Sequence, residues 1–437
     1  MNRTRKAKQN IAASIVLKVI DTIAYLLIIP VTIGYLNSYE YGIWLTINSI
    51  LTWIYSFDIG LGSGLRNKLA IAIAANDDNL GRKYVSTTFF SLVVLMTFIA
   101  LVGFIICSNI DWYAILNTDP MKVPNLKVVI LSSFAIFCIT FVLNFIGSVY
   151  QAVQLPAVTS GIGVLSRVLS LVVIFMLSKL TEGNLLYVAV IYSISPTILY
   201  LIMYPVTFSW LYRKFSPSFR YFNISLLKDL CSLSILFFIL QISGLVLFSL
   251  TNLLISNLFG PDMVTPYNIA NRYFSVVSMA FAVIIGPIWS ATTDAYEKND
   301  IGWIKSISKR ILLINIAASI FLLVMVVASP FIYKIWIGET VEIPTLLSFW
   351  MAIYIAIYVW SMCYSTFLNG MGKLRLQTYN TFFVAILFFP VCYFLGDTYG
   401  IIGVIVGMCL LNIPGLLFNI LQFYLVINGT NKNFWLK

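Results

Sequence analysis

Apolar segments of about 20 residues recur from one end of this chain to the other. A helix of that length crosses the ~30 Å hydrocarbon core of a bilayer. Only 10% of the 437 residues are charged, whereas a soluble domain carries roughly 25% and needs them to cover its surface. No strand-length segment alternates with a period of two, which disfavours a membrane β-barrel. The sequence therefore predicts an all-α integral membrane protein.

Twelve transmembrane helices in two six-helix bundles are predicted. We expect an N-terminal lobe at residues 1–208, a cytoplasmic linker at 209–228 and a C-terminal lobe at 229–437. Because six is even, both lobes enter the membrane in the same sense, so we expect parallel repeats with a substrate path at their interface. The predicted spans are 11–35, 39–61, 84–108, 127–150, 156–178, 185–208, 229–257, 266–291, 310–330, 345–368, 377–395 and 400–427.

A short element repeats between the two halves. Asn76-Asp77 and Asn299-Asp300 lie about half a chain apart, and each falls in the polar connector after the second span of its half. The pair supports the prediction of an internal repeat.

Basic residues fall mainly on one side of the predicted membrane. Twenty of the 27 lysines and arginines lie in one set of loops, and four lie in the alternating set. Cytoplasmic loops carry such an excess, so both termini are expected in the cytoplasm. The same distribution explains the net charge of +11 without a nucleic-acid partner, since no soluble basic domain is present.

The six cysteines lie in or at the ends of apolar segments, without a CxxC spacing, and the chain contains no histidine. They are expected to be small buried apolar residues, with neither a disulfide framework nor a zinc site. No nucleotide-binding or catalytic pattern is present either. The sequence therefore predicts no cofactor, no metal and no catalytic residue.

Four ionisable side chains lie inside predicted spans, where a charge costs at least about 2.5 kcal/mol near the centre. Lys18 and Asp21 share one face of the first span and can neutralise each other. Arg167 lies roughly 17 Å into the fifth span, and Arg272 roughly 9 Å from the outer end of the eighth. Lys18 and Arg272 are close enough to a surface to snorkel. Arg167 either binds a ligand or hydrogen-bonds the carbonyls of a neighbouring helix.

Three buried cations against one anion favour a negatively charged ligand. Arginine suits phosphate because its planar fork of donors grips two oxygens at once. On the eighth span, Asn268 and Ser275 share one side of the helix with Arg272, and Asn271 lies beside them. This polar stripe is expected to line a cavity.

Residues 58–66, with the sequence DIGLGSGLR, end the second predicted span. The alternating glycines between Asp58 and Arg66 either form a nest of backbone donors for phosphate or permit a close helix crossing or a bend. No GK[ST] follows, so the segment is not a nucleotide P-loop.

Residues 41–44 (YGIW), followed by this glycine-rich segment, resemble the first helical pair of O-antigen and capsular polysaccharide flippases of the Wzx type. That family belongs to the superfamily that includes multidrug extruders and peptidoglycan-precursor flippases. The resemblance implies a bacterial inner-membrane transporter. Such a protein moves an oligosaccharide repeat unit on undecaprenyl pyrophosphate to the outer leaflet by alternating access, driven by an ion gradient or the membrane potential.

The resemblance also implies roles for individual residues. Lys18, Arg66 and Arg272 are the candidates to handle the pyrophosphate or sugar acids, and Arg167 joins them because of its depth. Asp21 and Asp58 remain as candidates to bind a coupling H+ or Na+. Expected partners are the lipid-linked oligosaccharide, membrane lipids and other polysaccharide-assembly proteins.

Two alternatives stay open. A drug or other small-molecule exporter of the same superfamily is expected to bury an excess of acidic residues, whereas the excess here is basic. A membrane glycosyltransferase or polymerase needs catalytic carboxylates and usually a large extracytoplasmic loop, and the largest such loop here, at 109–126, is short. Both observations favour the flippase.

Overall fold

The computed structural model describes residues 3–53, 61–153, 155–231, 250–373 and 375–429. In these ranges the regular structure is helical, and no β-strand occurs. The predicted all-α class is therefore confirmed.

Contacts within the chain divide it into two units, Met1–Ile242 and Ser243–Lys437. The lobe and linker boundaries inferred from the sequence stay a prediction. The first unit contains helices α1 (Arg3–Tyr35), α2 (Ser38–Trp53), α3 (Leu61–Ala74), α4 (Asp78–Asn109), α5 (Trp112–Ile115), α6 (Leu126–Leu143), α7 (Phe145–Ala152), α8 (Pro156–Leu180), α9 (Leu185–Pro205) and α10 (Leu226–Cys231). The second contains α11 (Leu250–Phe259), α12 (Pro261–Glu297), α13 (Ile301–Ile337), α14 (Thr345–Gly370) and α15 (Arg375–Asn428).

Nine helices of the described residues are long and apolar enough to cross a membrane. One of them, α15, has 54 residues and a non-helical backbone at Gly400, so it is two spans joined at a kink. Two further predicted spans, at 39–61 and 229–257, each include residues outside the described ranges. Their described parts are α2 for the first, and α10 with α11 for the second.

The same turn precedes α4 in the first unit and α13 in the second. Asp77 and Asp300 each cap their helix, accepting a hydrogen bond of 2.9 Å from the backbone N–H three residues further on. Asn76 and Asn299 take the left-handed backbone conformation, with φ of 56° and 58°, which asparagine adopts more readily than most residues. The repeated sequence element thus has a repeated local structure.

Polar contacts join the helices of the first unit. The hydroxyls of Thr140 on α6 and Thr197 on α9 form a hydrogen bond, and Tyr200 Oη donates to Asn144 Oδ1 at 2.6 Å. Such contacts hold membrane helices together where apolar surfaces gain little from leaving lipid. The span made of α6 and α7 is 56% buried and that of α4 only 11%, so α6 lies inside the unit and α4 faces lipid.

In the second unit, α14 packs against α12, α13 and α15. Trp360 Nε1 donates to Ser319 Oγ at 2.8 Å, and Asn419 Nδ2 donates to Ser361 Oγ at 3.0 Å. Gly370 allows α14 to approach α12 closely, because a Cβ there would lie 2.9 Å from a backbone oxygen of α12.

Candidate functional site

An ion pair joins α1 to α8 inside the first unit. Nη1 of Arg167 donates to Oδ1 of Asp21, and Nζ of Lys18 lies 3.9 Å from Oδ2 of the same carboxylate. The Arg167 and Asp21 side chains are 34% and 24% exposed, whereas Lys18 is 53% exposed. Because one carboxylate is shared by two cations, this cluster carries a net positive charge.

Helical spacing on α8 builds one wall of the site. Ser160, Gly163, Val164 and Arg167 are three, four and seven residues apart, so they share one face of the helix. Gly163 leaves space in front of Arg167, because a Cβ there would have no heavy atom within 4 Å. On α1, the ring of Tyr25 lies 5.5 Å from the Arg167 guanidinium carbon and supports it by a cation–π contact.

A cavity of about 210 Å³ lies between these two helices. At about 30 Å³ for each water, it has room for roughly seven waters or a phosphate group with its nearest hydration. The cavity is lined by Leu17, Lys18, Asp21, Ser160, Gly163, Val164 and Arg167. Two of its four polar side chains, Lys18 and Arg167, are cationic donors, which is the chemistry that binds a phosphate or carboxylate oxygen.

Sequence reasoning did not find the partner of Arg167. No acidic residue lies within one turn of it on α8, and Asp21 reaches it from 146 residues away. Tyr25, Ser160 and Gly163 were also missed. The last two share the spacing of Arg167 on α8, which is the signal that would have found them.

Arg66 lies exposed on α3, which packs against α4 and α7. It is not among the residues that line the α1–α8 cavity. Its role in substrate binding stays a prediction. Asp58, the second candidate for ion coupling, lies outside the described residues.

The structure explains one of the alternating glycines by packing. Gly64 is helical, and a Cβ there would lie 2.2 Å from the backbone oxygen of Leu230 on α10. This supports the interpretation of the motif as a close helix crossing. Gly62 lies in the first turn of the same helix.

The polar stripe on α12 lies in the second unit and is partly used within it. Asn268 Nδ2 donates to Asn252 Oδ1 on α11 at 2.8 Å, and Ser275 Oγ donates to Asn271 Oδ1 at 3.3 Å. Arg272 is half-buried on the same helix. Asn268 therefore has a packing role, and the stripe as a cavity lining stays a prediction.

Within the described part of the chain, no group of three or more histidine, cysteine, aspartate or glutamate side chains is arranged to hold a metal ion. The charged contacts of the α1–α8 cluster are ion pairs.

Comparisons with known proteins find relatives that are named for polysaccharide biosynthesis and O-antigen transport. The family described as polysaccharide biosynthesis protein matches residues 7–293. A Yersinia pseudotuberculosis protein named for O-antigen export is 23% identical over 398 residues, covering 87% of each chain. A Salmonella typhi protein named as an O-antigen transporter is 21% identical over 411 residues, covering 91% of each chain.

A solved structure shares the fold. The chain aligns with a multidrug resistance transporter of the MATE family, in its inward-facing conformation, with a TM-score of 0.76 and 15% identity. The alignment covers 96% of this chain and 99% of the other, so the predicted extruder-like fold is confirmed. Because the family match spans well over half of the residues, the chain belongs to the polysaccharide biosynthesis protein family.

Proposed function

We propose that this protein is a flippase of the bacterial inner membrane. Its substrate is an oligosaccharide repeat unit, an O-antigen or capsule precursor, linked through pyrophosphate to a polyprenyl lipid such as undecaprenol. It moves that substrate from the cytoplasmic to the outer leaflet by alternating access. Family membership and two relatives named for O-antigen transport support this proposal.

One observation supports an anionic substrate in particular. Two cations and one carboxylate line a cavity of about 210 Å³ between membrane-spanning helices. A charge inside a membrane helix is costly and usually marks a functional group. The net positive charge favours an anionic substrate, and it disfavours a cationic drug.

Arg167 is the residue we propose for binding phosphate. Its guanidinium fork matches two oxygens of one phosphate group. In the structure one side of that fork is occupied by Asp21. On binding, a pyrophosphate oxygen replaces the Asp21 carboxylate, so the arginine exchanges one anionic partner for another and is never left uncompensated in the membrane.

Asp21 then becomes the candidate for ion coupling. Once displaced from Arg167, its carboxylate keeps only Lys18, at 3.9 Å, and is free to bind H+ or Na+. Substrate binding at Arg167 and ion binding at Asp21 therefore favour each other, because each breaks the same ion pair. Asp58 remains a second candidate, and Arg66 and Arg272 remain candidates for contacting sugar acids or pyrophosphate elsewhere along the path.

We further propose that the chain is a transporter without enzymatic activity, with both termini in the cytoplasm. Transport of this kind needs charge compensation and two access states, and no bond in the substrate has to break. Enzymes that build and polymerise the repeat unit are its expected partners.

Deletion of the gene tests the proposal. The lipid-linked oligosaccharide should accumulate on the cytoplasmic side of the membrane, and the wild-type gene should restore export. Sensitivity to cationic dyes is measured in the same strains. Loss of dye efflux without accumulation of a lipid-linked oligosaccharide would contradict the flippase proposal and support a drug exporter.

A further inference from the structure

Residues 206–225 connect α9 to α10 and pack along the start of α4. The segment contains a π-helical turn, Val206–Leu211, and two 3-10 turns, Arg213–Phe215 and Phe219–Tyr221. None of its residues lines the α1–α8 cavity, so any role of this segment is separate from that site.

The length of α4 places this segment at the membrane surface. The helix has 32 residues, or roughly 48 Å, against a hydrocarbon core of ~30 Å. Its continuous apolar stretch begins near Phe89. The first eleven residues therefore project beyond the hydrocarbon, and the segment packs against that projection.

One face of the segment is fixed to α4. The ring of Phe215 is buried against Gly81, where a Cβ would lie 2.7 Å from a ring carbon. Arg82 stacks over Tyr221, with its guanidinium carbon 4.3 Å from the ring centre. Polar bonds along the same face are Lys214 Nζ to Asp78 Oδ1 at 2.7 Å, Arg82 Nε to Ser216 O at 2.9 Å, Ser218 N to Ser86 Oγ at 3.1 Å and Asn223 N to Thr87 Oγ1 at 3.1 Å.

The segment also exposes large apolar side chains. Trp210, Phe219 and Ile224 are 80%, 74% and 70% exposed. Phe219 contacts Phe90 edge-on, with ring centres 5.4 Å apart, and Phe90 lies where α4 becomes apolar. Phe219 is thus held at the depth where hydrocarbon meets headgroups, the depth that aromatic residues prefer.

Exposed cations lie beside these apolar side chains. Arg213 and Arg220 are exposed. The hydrogen bonds that hold the segment to α4 use Arg82 and Lys214 instead. An arginine at the level of the headgroups attracts anionic lipid, and its fork of donors suits a phosphodiester. Charge and apolar exposure therefore favour one occupant, an anionic phospholipid.

We infer that residues 206–225 form an interfacial binding site for anionic phospholipids. Trp210, Phe219 and Ile224 enter the apolar edge of the leaflet, and Arg213 and Arg220 bind headgroup phosphates. The predicted orientation makes this the cytoplasmic leaflet. The site holds the start of α4 at a fixed depth through the contacts described above.

Lipid selectivity tests the charge part of this site. The full chain is placed in nanodiscs of mixed phosphatidylcholine and phosphatidylglycerol, and lipids retained after release are counted by native mass spectrometry. Arg213→Gln with Arg220→Gln should weaken phosphatidylglycerol retention by about fivefold for each arginine. Arg213→Lys with Arg220→Lys should keep most of it. The control, Lys122→Gln with Lys179→Gln, makes the same change in net charge in loops of the other predicted side, and it should leave retention at this site unchanged.

Depth tests the apolar part. In a chain whose six native cysteines are replaced, a spin label at Phe219→Cys or Ile224→Cys should collide more with oxygen than with a water-soluble nickel chelate. A label at Asn79→Cys, exposed at the start of α4, should show the reverse. Water-like accessibility at 219 and 224 would overturn the inference and point to a docking site for a soluble protein. Equal phosphatidylglycerol retention by the glutamine pair and the control pair would overturn it as well.

Discussion

Asp21 on α1 accepts a hydrogen bond from the guanidinium of Arg167 on α8, and the two residues are 146 positions apart in the chain. Lys18 lies 3.9 Å from the same carboxylate. A cation that looks isolated in the sequence of one helix is thus compensated by another helix. The compensation is incomplete, since two positive charges share one negative charge beside a cavity.

Removal of either partner should destabilise the protein, to different extents. Asp21→Asn leaves two cations side by side and should cost about 1–2 kcal/mol, allowing for their partial exposure. Arg167→Gln should cost less, because Lys18 still balances Asp21. The two changes made together should cost at least about 0.5 kcal/mol less than their sum. Unfolding free energies of the three variants, measured in one detergent, check this.

A surface pair provides the matched control. Lys214 and Asp78 form an ion pair of 2.7 Å with both side chains about half exposed. The same double-mutant cycle there, with Lys214→Gln and Asp78→Asn, should give a coupling of at most about 0.5 kcal/mol. Equal coupling in the two cycles would mean that the α1–α8 pair gains nothing from its membrane position.

Filling the cavity should stop transport without unfolding the protein. Gly163→Leu places a side chain in open space in front of Arg167. Replacing a glycine inside a helix should leave the unfolding free energy equal or up to about 1 kcal/mol higher. We expect at least a roughly tenfold fall in the translocation rate, measured beside thermal unfolding. Val172→Leu, on the exposed side of α8, adds bulk outside the cavity and should transport normally. Normal transport by Gly163→Leu would mean that the substrate does not pass through this cavity.

Glycine at position 64 should be required for packing. Gly64→Ala forces a Cβ to within 2.2 Å of the Leu230 backbone oxygen and should cost about 1–3 kcal/mol. Gly34→Ala, which meets no atom within 4 Å, should be neutral or slightly stabilising. Melting temperatures distinguish the two. If both variants have the same melting temperature, close packing against Leu230 does not explain why the motif has glycine at position 64.

The repeated turn should respond alike in both units. Asp77→Ala and Asp300→Ala each remove a side-chain cap and should each cost about 1 kcal/mol. Asn76→Gly should be tolerated, because glycine adopts the left-handed conformation freely, whereas Asn76→Val should be destabilising. Chemical denaturation of the four variants measures the effects. A cap that stabilises one unit alone would mean that the two turns share a structure but not a contribution to stability.

Properties set by local sequence were predictable. Apolar length gave the helices and the all-α class, because a helix satisfies its own backbone in lipid. The Asn-Asp pairs supported an internal repeat, and both pairs form the same turn, because a left-handed residue followed by a cap is determined within a few positions. The two spans at 39–61 and 229–257 include residues outside the described ranges, so their continuity stays a prediction.

Long-range contacts were not predictable in the same way. Nothing near Arg167 in the sequence points to Asp21, because their meeting depends on the packing of α1 against α8. The spacing of Asn268 on α12 likewise gives no sign that its amide bonds Asn252 on a neighbouring helix. Helical spacing tells which residues share a face, and only the packing tells what that face meets.

Translocation in proteoliposomes tests the central claim most directly. A short-chain polyprenyl-pyrophosphate oligosaccharide is loaded on one leaflet, and a membrane-impermeant glycosidase reports its arrival on the other. The wild type should translocate it. Arg167→Gln should not, and Arg167→Gln with Asp21→Asn, which restores charge balance without the guanidinium, should also fail. Full activity in that double variant would show that Arg167 serves only to neutralise Asp21, and it would contradict phosphate binding at this site.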